Sequence, residues 1–278
     1  MPELPEVETI KTAIEKTLKS AEFIDLKVEN SHLRQPVPSD LTKIVVGQKI
    51  IGYQRIAKYI LIHLDNGYSI VIHLGMSGRI RLSENYENPQ KHDHIIFKTT
   101  NGYMIYNDSR RFGLCIYIQT DKISQHSLFK NIGIDPFDEY LSGATLKEKL
   151  IKKSIPIKIA LLDQSVICGI GNIYASESLF LAGILPTRKA NSLSIKEYTV
   201  LVEKIRQTLR QAIAAGGSTL RDYRQPDGGL GYFQNQHCVY NKTGQACPSC
   251  TCQIEKTGGI QKSVLGGRST YFCKTKQR

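Results

Sequence analysis

The chain has 278 residues, long enough for two or three domains, and at 41% hydrophobic and 22% charged it has core-forming material and is no low-complexity disordered segment. No apolar run approaches the roughly 18 residues of a membrane helix, and the opening MPELPEVETI has neither a basic n-region nor an apolar h-region, so a cytoplasmic protein with no membrane partner is expected. A net charge of +12 points to a polyanionic partner, and residues 221–278 carry nine Lys/Arg against three acids with no amphipathic basic helix, which favours nucleic acid over a lipid surface.

The first predicted element is an amphipathic helix. Pro5 suits a first turn, Glu6 and Glu8 favour a helix N-terminus, and Val7, Ile10, Ile14 and Leu18 share one face. Residues 44–118 then read as strands. Asp65-Asn66-Gly67 between Tyr59–Leu64 and Tyr68–Leu74 is a hairpin signal, and Asn101-Gly102 marks another turn. These segments follow too closely for βαβ crossovers, so an antiparallel sandwich or barrel is expected. From about Ser127 the texture is helical, with helices over Thr145–Lys152, Ile157–Leu162, Asn172–Ala182 and Ser194–Ala215. The Gly-rich tail beyond Gly216-Gly217-Ser218 holds several of the seven cysteines, an odd number that fits thiols or a metal better than a disulfide framework.

Met1 before the small Pro2 is expected to be removed, leaving a terminal secondary amine. An α-amino group titrates at about 7.7–8.0 against about 10.4 for lysine, so more of it is nucleophilic near neutrality. Attack of a secondary amine on a sugar C1′ gives an iminium, cationic without further protonation and therefore an electron sink for elimination at the neighbouring carbon. Glu3 stands beside it as a proton shuttle. Read without this chemistry, the segment is an extended leader into a helix with acidic caps.

The stretch Pro2 to Thr9, PELPEVET, resembles the formamidopyrimidine-DNA glycosylases, the bacterial repair enzymes for oxidised purines. The resemblance recurs in order at Ala57-Lys58-Tyr59, His73 to Gly78, Lys91 to His94, Arg110 to Gly113, Gly171 to Glu177 and Gly267 to Thr270, covering essentially the whole chain. Endonuclease VIII, the sister group for oxidised pyrimidines, differs after the shared Pro-Glu, and Leu4 sides with the purine enzymes. The implied fold is α+β: an N-terminal helix plus antiparallel β-sandwich over residues 1–126, a helix-two-turn-helix domain over 127–217, and a damaged-base loop with a zinc-ribbon-like hairpin over 218–278.

The resemblance implies Pro2 as nucleophile, Glu3 as acid, Lys58 as phosphate contact and proton donor for β-elimination, and Arg268 as a phosphate clamp. Read alone, Lys58 is a surface lysine before an apolar strand and Arg268 a solvated loop charge. Met76, Arg110 and Phe112 match the residues that fill the hole left by an extruded base, which costs a few kcal/mol of stacking. Met76 and Phe112 read alone are core residues, although Gly75, Gly78 and Gly113 favour exposed loops. His92, Lys153 and Asn172 are implied DNA contacts, with Asn172 opening a helix after Gly169-Ile170-Gly171, where exposed N–H groups favour a phosphate.

Cys247-x2-Cys250 is half of a zinc ribbon, and the family completes it with a second C-x2-C at the C-terminus. Here that segment reads Cys273-Lys274-Thr275-Lys276, so Lys276 stands where the fourth thiolate belongs. Cys247, Cys250 and Cys273 are the expected ligands, with Cys252 a substitute for the fourth only if the hairpin turns it inward past Cys250, so weak or sub-stoichiometric zinc is expected. Read alone, the segment is a Cys-containing hairpin with no metal. The implied function is a monomeric bifunctional glycosylase and abasic-site lyase on damaged double-stranded DNA. The alternatives are an endonuclease VIII-like pyrimidine enzyme and a non-catalytic DNA-binding relative.

Overall fold

Helix α1 (Leu4–Thr17) begins where the acidic cap and proline predict, with Pro5 in its first turn and the Glu3 N–H donating to Glu6 Oε2 at 2.8 Å. Its stripe of Val7, Ile10, Ile14 and the following Leu18 is wholly buried. This is a computed structural model, and it describes residues 2–219, 224–226, 228–248 and 250–278. The chain divides into two compact units, Met1–Lys130 with Ala212–Gln234, and Asn131–Gln211 with Asn235–Arg278.

In the first unit, α1 is followed by β1 (Phe23–Val28), α2 (Leu41–Val45), β2 (Ile50–Ile56), β3 (Tyr59–Leu64), β4 (Tyr68–His73), β5 (Arg79–Ser83), β6 (Asp93–Thr99), β7 (Gly102–Asn107) and β8 (Leu114–Gln119). They form two four-stranded antiparallel sheets, in the orders β1-β6-β7-β5 and β2-β3-β4-β8. Phe23, Ile95, Phe97 and Met104 of the first sheet share one core with Ile60, Ile62, Ile70 and Ile72 of the second and with the apolar stripe of α1. The arrangement is a sandwich and not a barrel, since each sheet keeps two edges. Both predicted turns are present, with Gly67 at φ +81° and Gly102 at φ +112°. The strand region starts earlier than predicted, because β1 and the short α2 precede β2.

In the second unit lie α3 (Gly143–Leu150), α4 (Ile157–Leu162), α5 (Asn172–Leu181), most of α6 (Ile195–Ala214), α7 (Ile254–Thr257), β9 (Gln261–Leu265) and β10 (Arg268–Phe272). Helix α3 starts two residues before the predicted Thr145 because Ser142 is its cap. Thr145 N donates to Ser142 Oγ at 3.1 Å and Ser142 N to Thr145 Oγ1 at 2.8 Å. Ser194 and Glu197 cap α6 in the same reciprocal way. Gly266 and Gly267, both at positive φ, make the tight turn that folds β10 back on β9.

The 218–278 tail is split by its hydrogen bonds. Ser218 N donates to Glu6 Oε1 at 2.8 Å and Leu82 N to the Pro226 carbonyl at 3.1 Å, tying this part of the tail to the first unit. In the second unit, the N–H groups of Cys238, Val239 and Tyr240 all donate to Glu177 of α5. Among the described residues, no helix is long and apolar enough to cross a membrane.

Candidate active site and nucleic-acid interface

Pro2 and Glu3 are buried at the mouth of α1. Glu6, read from sequence only as a helix-favouring acid, has a larger part. Its carboxylate is 2% exposed and takes the N–H of Glu3 on one oxygen and the N–H of Ser218 on the other. The signal available for this was the Glu-x-x-Glu spacing of a capping box; the partner 212 residues away had none.

Lys58 occupies the turn between β2 and β3 and is 8% exposed, so the surface-lysine reading does not hold. Ala57 before it sits at φ +53°, a left-handed conformation that costs a residue with a Cβ roughly 1 kcal/mol. Arg55 braces this turn, donating from Nη1 to the Ala57 carbonyl at 3.1 Å and from Nε to Glu8 of α1 at 2.6 Å. His73 at the end of β4 lies within reach of the charges of Lys58 and Arg34. Burial first, then those two charges, push its pKa down to about 4. It is therefore neutral at pH 7, and its Nδ1 accepts from Gly75 N at 3.0 Å.

Met76, Arg110 and Phe112 are all exposed, Met76 by 39% and Phe112 by 47%. The core-packing reading fails for both. The Arg110 guanidinium lies over the Phe112 ring, 5.0 Å from its centroid. Gly75 makes the approach of the two loops feasible, since a Cβ there would lie 2.5 Å from the Phe112 backbone. His92 stands in the turn before β6 at φ +79°, whereas His94 is buried in the strand and donates from Nε2 to the Asp108 carbonyl at 2.7 Å. In the segment implied to form the damaged-base loop, Tyr232 is exposed, and Arg221, Tyr223 and Asp227 lie outside the described residues.

In the second unit Asn172 is the first residue of α5. Its Nδ2 donates to the Ser269 carbonyl at 3.0 Å and its buried Oδ1 has no protein partner. Lys158, fully buried, donates to the same carbonyl at 2.9 Å and to Thr270 Oγ1 at 2.8 Å. Both hold β10 just beyond exposed Arg268. Lys153 is engaged elsewhere, in an ion pair with Asp163 at 2.6 Å; that hydrogen bond and one from Ser165 bring the Asp163 carboxyl down to about 2.

The tail gathers the three expected thiols and the candidate fourth. Cys252 does turn inward, and the thiol sulfurs of Cys247, Cys250, Cys252 and Cys273 all lie within 4.8 Å of one another. Cys247 is 3.1 Å from Cys252 and 3.3 Å from Cys273, and Cys250 is 3.7 Å from Cys273. Four thiolates at about 2.3 Å from a tetrahedral metal stand about 3.8 Å apart, so the donor set fits such an ion. No disulfide joins them. Hydrogen bonds from Cys247 and Cys250 concentrate anionic character on Cys252, whose pKa falls to about 7. Lys276 points away, its ammonium 4.3 Å from the centroid of the buried Phe180 ring.

The model of the formamidopyrimidine-DNA glycosylase N-terminal domain matches residues 1–115, and that of the family's H2TH domain matches residues 132–224. A curated formamidopyrimidine-DNA glycosylase of Rhodospirillum rubrum is 43% identical over the full length of both chains. One of Rickettsia africae is 45% identical over 100% of this chain and 99% of its own. Among solved structures, a Lactococcus lactis Fpg mutant in complex with Fapy-dG-containing DNA superposes with a TM-score of 0.90 at 35% identity, covering all of both chains. The Lactococcus lactis protein with abasic-site DNA gives the same score over 99% of each. The chain belongs to the formamidopyrimidine-DNA glycosylase family.

Proposed function

We propose that this protein is a bifunctional DNA glycosylase and abasic-site lyase that removes oxidised purines, 8-oxoguanine and formamidopyrimidines, from duplex DNA. The observation that carries the reading is the buried Pro2-Glu3 pair, pinned by Glu6 at the start of a rigid helix. Burial disfavours the protonated form of an amine, which is what a terminal proline needs to act as a nucleophile after Met1 is removed.

The base is extruded, and Met76, Arg110 and Phe112 enter the stack in its place; their exposure on adjoining loops supports this role. The Pro2 nitrogen attacks C1′, the bond from C1′ to the base breaks, and Glu3 delivers the proton that lets the base or the opened sugar oxygen leave. The iminium then acidifies C2′. Loss of that proton expels the 3′ phosphate, and a second elimination expels the 5′ phosphate. Lys58 is the phosphate contact and the proton donor for the first elimination. Arg268 clamps phosphates, and His92, Asn172 and Lys153 add backbone contacts, the Lys153 ammonium keeping N–H donors beyond the one given to Asp163. The orphaned Asn172 oxygen supports an external partner there. Cys247, Cys250, Cys252 and Cys273 would hold a structural zinc, which would cross-link the hairpin carrying Arg268.

Borohydride trapping tests the reading. A covalent adduct is expected on an 8-oxoguanine:C duplex and on an abasic duplex, and it is lost in Pro2→Gly or with an N-terminal extension. Adduct formation in the extended protein overturns it. Faster excision from an oxidised-pyrimidine duplex assigns the protein instead to the pyrimidine activity.

A further inference from the structure

Asp108 follows β7 and has no part in the chemistry above, yet it is fully buried and its carboxylate serves four donors. One oxygen accepts from Ser77 Oγ at 2.5 Å and from the Arg110 N–H at 3.2 Å; the other accepts from the Gly113 N–H at 2.9 Å and from the Tyr106 hydroxyl at 3.3 Å. Four donors satisfy the acceptor capacity of a carboxylate, which is what makes its burial tolerable. The backbone of the same residue is used as well. Its N–H donates to the His92 carbonyl at 3.1 Å, and its carbonyl accepts from His94.

The identity of the donors gives the arrangement its meaning. Ser77 adjoins Met76, and its hydroxyl also accepts the Arg110 N–H at 3.1 Å. Arg110 and Gly113 bracket Phe112. One carboxylate therefore fixes the loop carrying Met76 against the loop carrying Arg110 and Phe112, and its backbone sets the turn of His92. Arg111, between the two exposed side chains, is held at φ +58°, a conformation unfavourable for arginine that the surrounding bonds enforce.

We propose that Asp108 is the positioning residue that fixes the spacing of Met76, Arg110 and Phe112 and thereby sets the discrimination between bases opposite the lesion. The inference rests on the reading of those three side chains as the ones that enter the stack. Arg110 is the member able to hydrogen-bond the orphaned base. A guanidinium discriminates between bases only when its backbone is fixed to a fraction of an ångström, and Asp108 and Ser77 are what fix it.

The test compares Asp108→Asn, Ser77→Ala, Ser77→Thr and Arg110→Ala with the parent protein. Asparagine replaces one acceptor oxygen with an NH2 group facing two other donors, and alanine at 77 removes the bridging hydroxyl. Readouts are single-turnover excision of 8-oxoguanine opposite cytosine and opposite adenine, borohydride trapping on a single-stranded abasic oligonucleotide, and thermal melting. Asp108→Asn and Ser77→Ala are expected to raise the half-saturating protein concentration in single-turnover excision from the lesion duplex and to lower the cytosine-to-adenine preference about tenfold, while trapping on the single strand stays within about twofold. Ser77→Thr, which keeps the hydroxyl, is expected to retain the preference. If Asp108→Asn does not fold, the Ser77 pair decides. An unchanged preference in both Asp108→Asn and Ser77→Ala overturns the inference. A preference that survives Arg110→Ala overturns the underlying reading, and the inference with it.

Discussion

Arg55 of β2 and Glu8 of α1 are joined by a 2.6 Å ion pair that crosses 47 positions of sequence, and the same guanidinium caps the carbonyl immediately before Lys58. The helix that presents Pro2 and the turn that presents Lys58 are thereby parts of one brace. Arg55→Lys keeps the charge but loses the forked geometry that serves both partners. The elimination step proposed for Lys58 is expected to slow about tenfold in this variant, with stability lowered by about 1–2 kcal/mol. Strand cleavage at an abasic site and calorimetry check this.

Glu6→Gln is expected to be more damaging than its isosteric character suggests. Two N–H groups point at the carboxylate, and the amide presents its own NH2 to one of them, leaving a buried donor unmatched at a cost of about 1–3 kcal/mol. Adduct trapping on abasic DNA is the measurement, and a loss of about tenfold or more is expected.

For the cysteine cluster, protein purified without chelator is expected to contain one zinc per chain. Cys252→Ser is expected to lose it on challenge with a chelator, whereas Lys276→Cys leaves the content unchanged, because its neighbour Phe180 and not the sulfurs receives that side chain. Elemental analysis and the charge-transfer absorption of the cobalt-substituted protein distinguish a four-sulfur site from a three-sulfur one.

His73 and His237 are both held down to about 4, each chiefly by burial, with Arg34 and Lys58 adding to the effect at His73 and Lys242 at His237. A depressed folded pKa means that the unfolded chain takes the proton first. The stability associated with the neutral rings is present above about pH 6.5 and is lost as pH falls through about 4, by roughly 2–3 kcal/mol for each histidine. Calorimetry from pH 7.5 to 4 is expected to show falling melting temperatures. His73→Gln, whose amide oxygen can still accept from Gly75, is expected to flatten part of that fall.

Much of this was legible in the sequence where the cause is local. The Asp-Asn-Gly and Asn-Gly turns, the stripe of α1 and the span of α4 follow from propensity and periodicity. The exposure of Met76 and Phe112 was foreshadowed by their flanking glycines. What escaped depends on contacts that only the folded chain creates. Glu6 looks like any helix-starting acid until Ser218 arrives, and Asp108 looks like a turn residue until Ser77 and Gly113 close on it. Cys252 lies outside the C-x2-C spacing, so its place among the ligands depends on the path of the chain between residues 250 and 252. For Lys153 the charge is visible in the sequence, but its Asp163 partner is not.

The cysteine cluster also implies an order of assembly. Cys247, Cys250 and Cys252 fall within six consecutive residues, while Cys273 is 21 positions beyond Cys252. Closing a short loop costs less chain entropy than closing a long one. With the proposed zinc bound, a chain that has emerged only as far as Cys252 would hold three of the four thiolate ligands, and the β9–β10 hairpin would then be joined to them by Cys273 alone.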